Sequence, residues 1–421
     1  MSNVAVRYAP SPTGTPHIGN IRTALFNFLF ARNEGGIFIL RIEDTDRQRL
    51  IPQSKEDIKK SLKLLGINWD RYFEQSQRLS LYQRYLENLK SKGVVYQDDK
   101  AWRIKVPKQK KLKWNDLLHG EIEFLSDVIE DFVLVKSDGF PTYHFASVID
   151  DHEMAISHVI RGDEWISSTP KHLLLYGAFS WVPPKFVHIP PILGPNKKKL
   201  SKREGAKSVI EYIDEGYLKE ALVNFLALLG WSPQDDQEIF TLDELIAEFS
   251  VGRLNKNSPI FNIEKLNWFN QQWLRRLKPE EFDRKVQSRF PNMYPSNVTT
   301  TIAPLVQSRI GTILDFPKMA DPFYKKPELP LDVIKAVPLS GATISNYAKK
   351  LETIPNWNPE SFRSGTVQFA GENNINTKDL YRSVGVATFG SLVTPPLPES
   401  VDVFGKEETI ERLNELAKKK K

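Results

Sequence analysis

Hydrophobic and polar positions change period twice within the first 42 residues. Val4, Val6 and Tyr8 alternate with other residues, the two-residue period of a short strand over residues 4–8. A turn-rich stretch follows, Pro10-Ser11-Pro12-Thr13-Gly14-Thr15-Pro16. Ile21, Ala24, Leu25, Phe28 and Leu29 then recur at i, i+3, i+4, i+7 and i+8, which predicts an amphipathic helix. Glu34-Gly35-Gly36 ends it with glycine where a helix C-terminus favours one. Ile37 to Ile42 is a nearly continuous apolar run with a single charge, Arg41, as in a strand covered on both faces of a parallel sheet. Strand, loop, helix and strand in this order make one βαβ unit, so the chain opens as an α/β fold of the nucleotide-binding type.

Further along, residues 54–66 and 79–93 read as helices, and Ile129–Lys136 and Ser157–Arg161 as strands. Asp150-Asp151-His152 reads as strand too, with adjacent side chains on opposite faces, which argues against a shared metal site there. His188, between Val187 and Ile189, reads as a packed or loop histidine. Helical periodicity dominates from about Tyr212. Prolines at 317, 322, 327, 330 and 338 mark a junction between helical parts. A last amphipathic helix ends in Lys418 to Lys421, read as a frayed, solvated tail.

At 421 residues the chain holds about two to four domains. Its 40% hydrophobic and 26% charged residues exclude a disordered or fibrous chain. No apolar run is long enough to span a bilayer, and Met1 to Arg7 lacks the pattern of a secretory leader. There is no cysteine, which excludes disulfides, a thiol nucleophile, an iron–sulfur cluster and Cys-ligated zinc. The net charge of +6 admits a polyanionic partner without requiring one.

Two segments carry candidate chemistry. The eleven residues Pro10–Asn20 join the first strand to the first helix. An α/β fold binds phosphate at that point, because backbone amides and the positive helix end face the ligand. Thr13 adds a hydroxyl and His17 an imidazole donor, while Gly14 and Gly19 let the main chain approach closely. A lone His-x-Gly would equally suit a helix-packing histidine; the whole string in this topology is what points to a ligand. The second segment is Lys198-Lys199-Leu200-Ser201-Lys202-Arg203. A loop dense in ammonium groups can close on a triphosphate and neutralise a leaving pyrophosphate. By itself it would as readily be a solvated basic loop.

His17-Ile18-Gly19-Asn20 and Lys199-Leu200-Ser201-Lys202-Arg203 resemble, in order and separation, the HIGH and KMSKS signatures of class I aminoacyl-tRNA synthetases. Arg7–Gly14, Leu40–Asp46, Phe140–Ala146 and His158–Trp165 are similar to bacterial-type glutamyl-tRNA synthetases. The similarity runs from Val4 to about Trp273 and is fainter beyond, resting on Phe316-Pro317 and Phe404 to Leu413.

The resemblance implies an α/β fold: a Rossmann-type parallel-sheet catalytic domain, an inserted α+β acceptor-binding domain and C-terminal all-α anticodon-binding domains. The expected boundaries are 1–72 and 136–195 for the two catalytic halves and 73–135 for a shortened insertion. Residues 196–277 would form a stem-contact region with the basic loop, and 278–421 the helical anticodon-binding region. It implies a glutamate–tRNA ligase that uses ATP with Mg²⁺ and no zinc, acting as a cytoplasmic monomer with no membrane partner. The tRNA would be tRNA(Glu), with tRNA(Gln) as a second substrate in a non-discriminating enzyme. The competing reading is a tRNA-binding paralogue without catalysis. Glutamate carries two carboxylates and an ammonium, so its site needs an Arg and a carboxylate. Arg7 and Arg161 fit the first need and Glu43 the second, and the resemblance adds Ala9, Ser11, Tyr143 and Ser147 to the glutamate pocket. It assigns Thr13, His17, Gly19, Asn20, Glu164, Leu193, Lys199, Ser201 and Lys202 to ATP, with His17, Gly19 and Lys202 catalytic. No residue is assigned to a protein-held metal.

Three departures from the family pattern stand out. Asn20 replaces the second His of the HIGH motif, and Ser147 stands where relatives commonly carry Asn. Between Tyr96 and Ala101 the family usually has several tens of additional residues, and here only Gln97-Asp98-Asp99-Lys100 remains. Acceptor-end contacts would then be fewer, or fall to the basic segment 100–113, largely through backbone electrostatics.

Overall fold

A computed structural model describes residues 4–200 and 207–420. The chain divides into two units, Met1–Asp214 with Lys219–Phe269, and Glu215–Leu218 with Asn270–Lys421. The first unit begins β1 (Ala5–Tyr8), α1 (Ile18–Asn33), β2 (Ile37–Ile42), α2 (Pro52–Leu64), β3 (Arg71–Glu74) and α3 (Leu79–Ser91). It continues through β4 (Val95–Asp98), β5 (Ala101–Ile104), β6 (Lys111–Asp116), β7 (Gly120–Leu125), β8 (Phe132–Val135) and α4 (Tyr143–Glu153). Then come β9 (His158–Gly162), α5 (Thr169–Phe179), β10 (Lys185–Ile189), α6 (Val209–Asp214), α7 (Lys219–Leu228) and α8 (Leu242–Glu248).

β1 pairs parallel with β2, Arg7 opposite Ile39, and β2 pairs parallel with β3. β9 lies beside β1, where the Ser157 amide donates to the Ala5 carbonyl at 2.9 Å, and pairs parallel with β10. The order β3-β2-β1-β9-β10 is that of a Rossmann sheet, which binds ligands beyond the strand C-termini where the order reverses. That point falls between β1 and β9. As the apolar run of β2 requires, Phe38, Ile39, Leu40 and Ile42 are fully buried. The first helix differs from expectation. It is buried on nearly every side, because the sheet covers one face and α7 and α8 the other, with Phe26 packed 5.5 Å from Phe249.

At the short stretch Gln97–Lys100, where the resemblance leads one to expect an insertion, β4 and β5 form a tight antiparallel hairpin. Its two-residue turn, Asp99 and Lys100, has φ of 42° and 64°, both positive as in a type I′ turn, whose twist matches that of the strands. β6 and β7 form a second hairpin, and β6 joins the parallel sheet beside β10, Asp116 opposite Phe186. In the basic segment, Lys111 and Lys113 pair across this hairpin with Glu121 and Glu123, and Arg103 pairs with Asp98.

Asp150-Asp151-His152 lies on helix α4, which corrects the strand reading. Phe145, Val148 and Ile149, at i, i+3 and i+4, are fully buried, so the apolar period there is helical. The two aspartates turn to different partners and His152 stacks on Trp181 at 3.6 Å, so the three do not converge.

The second unit is helical, with a core that includes Ile344, Tyr347, Phe362, Leu380, Leu413 and Leu416. Its last helix, Lys406–Lys419, corrects the frayed-tail reading. Leu416 and Ala417 are buried and Lys420 Nζ donates to the Val337 carbonyl at 2.6 Å, so packing keeps the run helical while Lys418 and Lys419 stay exposed, and Lys421 lies outside the described residues. Among the described residues, no helix is long and apolar enough to cross a membrane.

Candidate active site

Charged side chains converge beyond the C-termini of β1, β2 and β9. Arg7, on β1, is buried and its Nε donates to Asp151 Oδ1 at 3.0 Å. Arg41, on β2, is wholly enclosed: Nη1 donates to Asp151 Oδ1 at 2.7 Å, and Nη2 to Glu43 Oε1 at 2.9 Å and Ser147 Oγ at 3.2 Å. Asp150 sits 3.9 Å from Arg41 Nε and is held by Gln75, Arg78 and Tyr82. An enclosed guanidinium persists only when its charge is matched. Burial opposes the Arg41 charge, but Asp151, Glu43 and Asp150 together outweigh it and raise its pKa well above the ordinary value. Asp151 is likewise burdened by burial, yet Arg7 and Arg41 pull it below the usual carboxylate range. Glu43 is the unsettled member. Burial raises it to about 7 even though Arg41 and Arg7 oppose the rise, because it shares those cations with Asp151.

Arg161, on β9, faces the same space. Its Nη1 donates to Tyr143 Oη at 3.3 Å, Nη2 to Thr169 Oγ1 at 2.8 Å and Nε to His188 Nε2 at 3.1 Å. Tyr143 opens α4, and burial raises its phenol pKa, with Arg161 working against the rise. Next to it, His144 Nδ1 lies 3.1 Å from His172 Nε2. Burial and nearby Lys171 and Arg161 lower His144 to about 4, so the ring is neutral at ordinary pH. His188 is a fully buried strand residue rather than a loop one, with Asp116 Oδ2 2.6 Å from its Nδ1.

The loop between β1 and α1 lies at the same edge. Its main chain bonds back to the Glu43 amide from Pro10 and to the Ile51 amide from Pro12. His17 caps α1, its Nδ1 accepting from the Gly19 amide at 3.0 Å. A Cβ on Gly19 would come within 2.9 Å of the His17 ring, so this ring position requires glycine. Gly14, with φ of 145°, takes a backbone shape that other residues rarely adopt. Ser11 and Thr13 are exposed along the loop, Asn20 is exposed in the first turn of α1, and Ala9 is half-buried. Residues flanking the basic loop come to this place: the Ile18 amide donates to the Lys207 carbonyl at 3.3 Å, and Ser208 bridges to His17. Leu193 bridges to Lys199, whose Nζ is 3.6 Å from Glu164 Oε1. Ser201 and Lys202 lie outside the described residues.

The structure thus brings Arg7, Glu43, Ser147, Tyr143 and Arg161 into one buried cluster, and His17, Gly19, Glu164, Leu193 and Lys199 to the adjoining strand and helix ends. Sequence reasoning missed Arg41, Asp151, Asp116 and Thr169. One signal was available: Arg41 is a charge inside an apolar run, and a buried cation demands partners. Nothing in the sequence identified Asp151 as that partner.

Residues 3–102 and 98–268 match the family described as tRNA synthetases class I (E and Q), catalytic domain, and residues 261–417 match the family described as anticodon binding domain. The first match divides where β4 turns into β5. The fold, strand-end site and these matches define a class I tRNA synthetase. A glutamate–tRNA ligase of Dehalococcoides mccartyi is 37% identical over 472 aligned positions, covering 98% of this chain and 96% of the relative. That of Bacillus subtilis is 35% identical, covering 99% and 100%. A glutamate tRNA ligase from Elizabethkingia meningosepticum, solved in complex with its amino acid, superposes with a TM-score of 0.88 at 31% identity, covering all of both chains. The chain belongs to the glutamate–tRNA ligase family.

Proposed function

We propose that this glutamate–tRNA ligase activates L-glutamate with ATP and passes the glutamyl group to the 2′-hydroxyl of the terminal adenosine of tRNA(Glu). The α-carboxylate attacks the α-phosphorus of ATP in line; a P–O bond forms, the bond to pyrophosphate breaks, and glutamyl-adenylate results. The adenosine hydroxyl then attacks the adenylate carbonyl and AMP leaves. No side chain need become covalently bound, so positioning and charge neutralisation carry the rate. Arg7 and Arg161 receive substrate carboxylate and Glu43 its ammonium, with Ala9, Ser11, Tyr143 and Ser147 lining the pocket. Thr13, His17, Gly19, Asn20, Glu164, Leu193 and Lys199 hold ATP, and Ser201 and Lys202 close on the pyrophosphate. Mg²⁺, when bound, would supply positive charge to the triphosphate.

The domain roles follow the same reading: 1–72 and 136–195 catalytic, 73–135 a shortened acceptor-binding insertion, 196–277 stem contact and 278–421 anticodon binding, in a cytoplasmic monomer. The observation that carries the proposal is the enclosed Arg7–Asp151–Arg41–Glu43 network beside Arg161 and Tyr143. It is a preorganised bed of alternating charge, the kind of surface that a zwitterion with an extra carboxylate requires. ATP–pyrophosphate exchange driven by glutamate, run with and without tRNA, tests it. Exchange, with tRNA required, is expected; no exchange with any tRNA would leave only the tRNA-binding reading. Charging of purified tRNA(Glu) and tRNA(Gln) in parallel reads the tRNA partner.

A further inference from the structure

We propose that Asp116 and His188 are positioning residues that fix the guanidinium of Arg161 by dictating which imidazole nitrogen carries the proton. The proposal rests on the placing of Arg161 in the glutamate pocket. All three side chains are buried, so the polar groups must satisfy one another. Asp116 ends β6 and its two oxygens divide their work. Oδ1 accepts from the amides of Leu118 and His119, each at 3.0 Å, and from the more distant His188 amide. Oδ2 faces His188 Nδ1 at 2.6 Å.

The other ring nitrogen meets Arg161 Nε at 3.1 Å. An arginine Nε–H can only donate. His188 Nε2 must therefore accept, and the single ring proton must sit on Nδ1, directed at Asp116. The carboxylate selects this tautomer, and the tautomer presents a lone pair to Arg161. Thr169 Oγ1 closes the arrangement: it accepts from Arg161 Nη2 at 2.8 Å, donates to the Trp165 carbonyl at 3.0 Å and lies 3.2 Å from His188 Nε2. With Nε and Nη2 committed, Nη1 is aimed at Tyr143 Oη and the guanidinium plane is set. An arginine that must meet a carboxylate with both prongs benefits from such fixing, because a small misplacement costs much of the bidentate interaction. A residue of the segment joining the two catalytic halves thereby reaches the amino-acid pocket through one imidazole.

Asp116→Asn tests this with little change of shape. If the amide oxygen keeps the Leu118 and His119 amides, the NH₂ group faces His188 Nδ1. The ring then accepts there, its proton moves to Nε2, and two donors collide at Arg161. The KM for glutamate should rise at least tenfold while the KM values for ATP and tRNA stay within about twofold. The same substitution in an Arg161→Ala background should add nothing further, since coupled residues are not additive. Nitrogen-15 NMR of histidine-labelled wild-type enzyme should show His188 protonated on Nδ1 and bare on Nε2, a readout that does not depend on any variant folding. A His188 ring protonated on Nε2, or an unchanged glutamate KM in Asp116→Asn when Arg161→Ala raises it, overturns the positioning role and leaves Arg161 in the pocket. If Arg161→Ala itself leaves the glutamate KM unchanged, the pocket assignment fails instead, while the NMR result still reads the Asp116–His188 arrangement.

Discussion

Glu43 should make glutamate binding depend on pH near neutrality. Its carboxyl lies at the end of β2 with Arg41 on one oxygen, and burial raises its pKa from 4.5 to about 7. A displacement of that size opposes ionisation by about 3 kcal/mol. If the substrate ammonium docks there, binding must draw the carboxyl into its charged form. Free glutamate keeps one ammonium and two carboxylates across the neutral range, so any pH dependence comes from the protein. Below about pH 7 the empty site is mostly protonated. The KM for glutamate should therefore fall as pH rises towards 7, by up to about tenfold per unit well below the pKa, and level off above it. Stability of the empty enzyme should move the other way. A carboxyl raised in the folded state contributes fully below its unfolded value of 4.5, and that contribution is lost as pH rises through about 7. Initial-rate pyrophosphate exchange with saturating tRNA and ATP, from about pH 5.5 to about pH 8.5 at constant ionic strength, measures the first effect. Thermal unfolding over the same range measures the second. Glu43→Gln should flatten both. A glutamate KM that is level across the range, or a pH dependence that survives in Glu43→Gln, refutes the reasoning.

Other perturbations probe different parts of the site. Arg7→Ala should cost several kcal/mol of preference for glutamate over glutamine, because a buried carboxylate loses its partner; equal discrimination in paired exchange assays would remove Arg7 from that role. Asp151→Ala leaves the buried Arg7 and Arg41 short of their shared carboxylate and should destabilise the fold by about 3–5 kcal/mol, read from the midpoint of denaturant unfolding. Lys202→Ala should slow activation by about two orders of magnitude with glutamate binding unchanged, as for a contact made only in the transition state; matching loss of ground-state binding would contradict it. Replacing Asp99-Lys100 by Asn-Gly should raise stability by about 0.5–1 kcal/mol, since both positions have positive φ; a lower melting temperature would argue against the tight turn.

The motifs and the first βαβ unit were legible because they are local. The period of Ile21 to Leu29 shows in adjacent turns of one helix, and the Pro10–Asn20 string carries its amides, hydroxyl and imidazole in a single loop. Local reading failed where two local patterns compete. Asp150-Asp151-His152 read alone allows a strand, while Phe145, Val148 and Ile149 at i, i+3 and i+4 on the same segment are buried on one face of a helix. The closing lysines do face solvent, Lys418 and Lys419 being exposed, but they are helical rather than frayed, because Leu416 and Ala417 on the same helix are buried.

By itself, then, the chain determined its opening strand–helix–strand unit and the family motifs that the comparisons match. Tertiary structure alone decided which charges answer one another. Arg7 and Arg41 meet Asp151 across 144 and 110 residues, and Asp116 meets His188 across 72. A helical or strand period reflects neighbours a few residues away, so it can be read from the chain. The cost of burying a charge depends on what the folded sheet places around it, which no local pattern specifies.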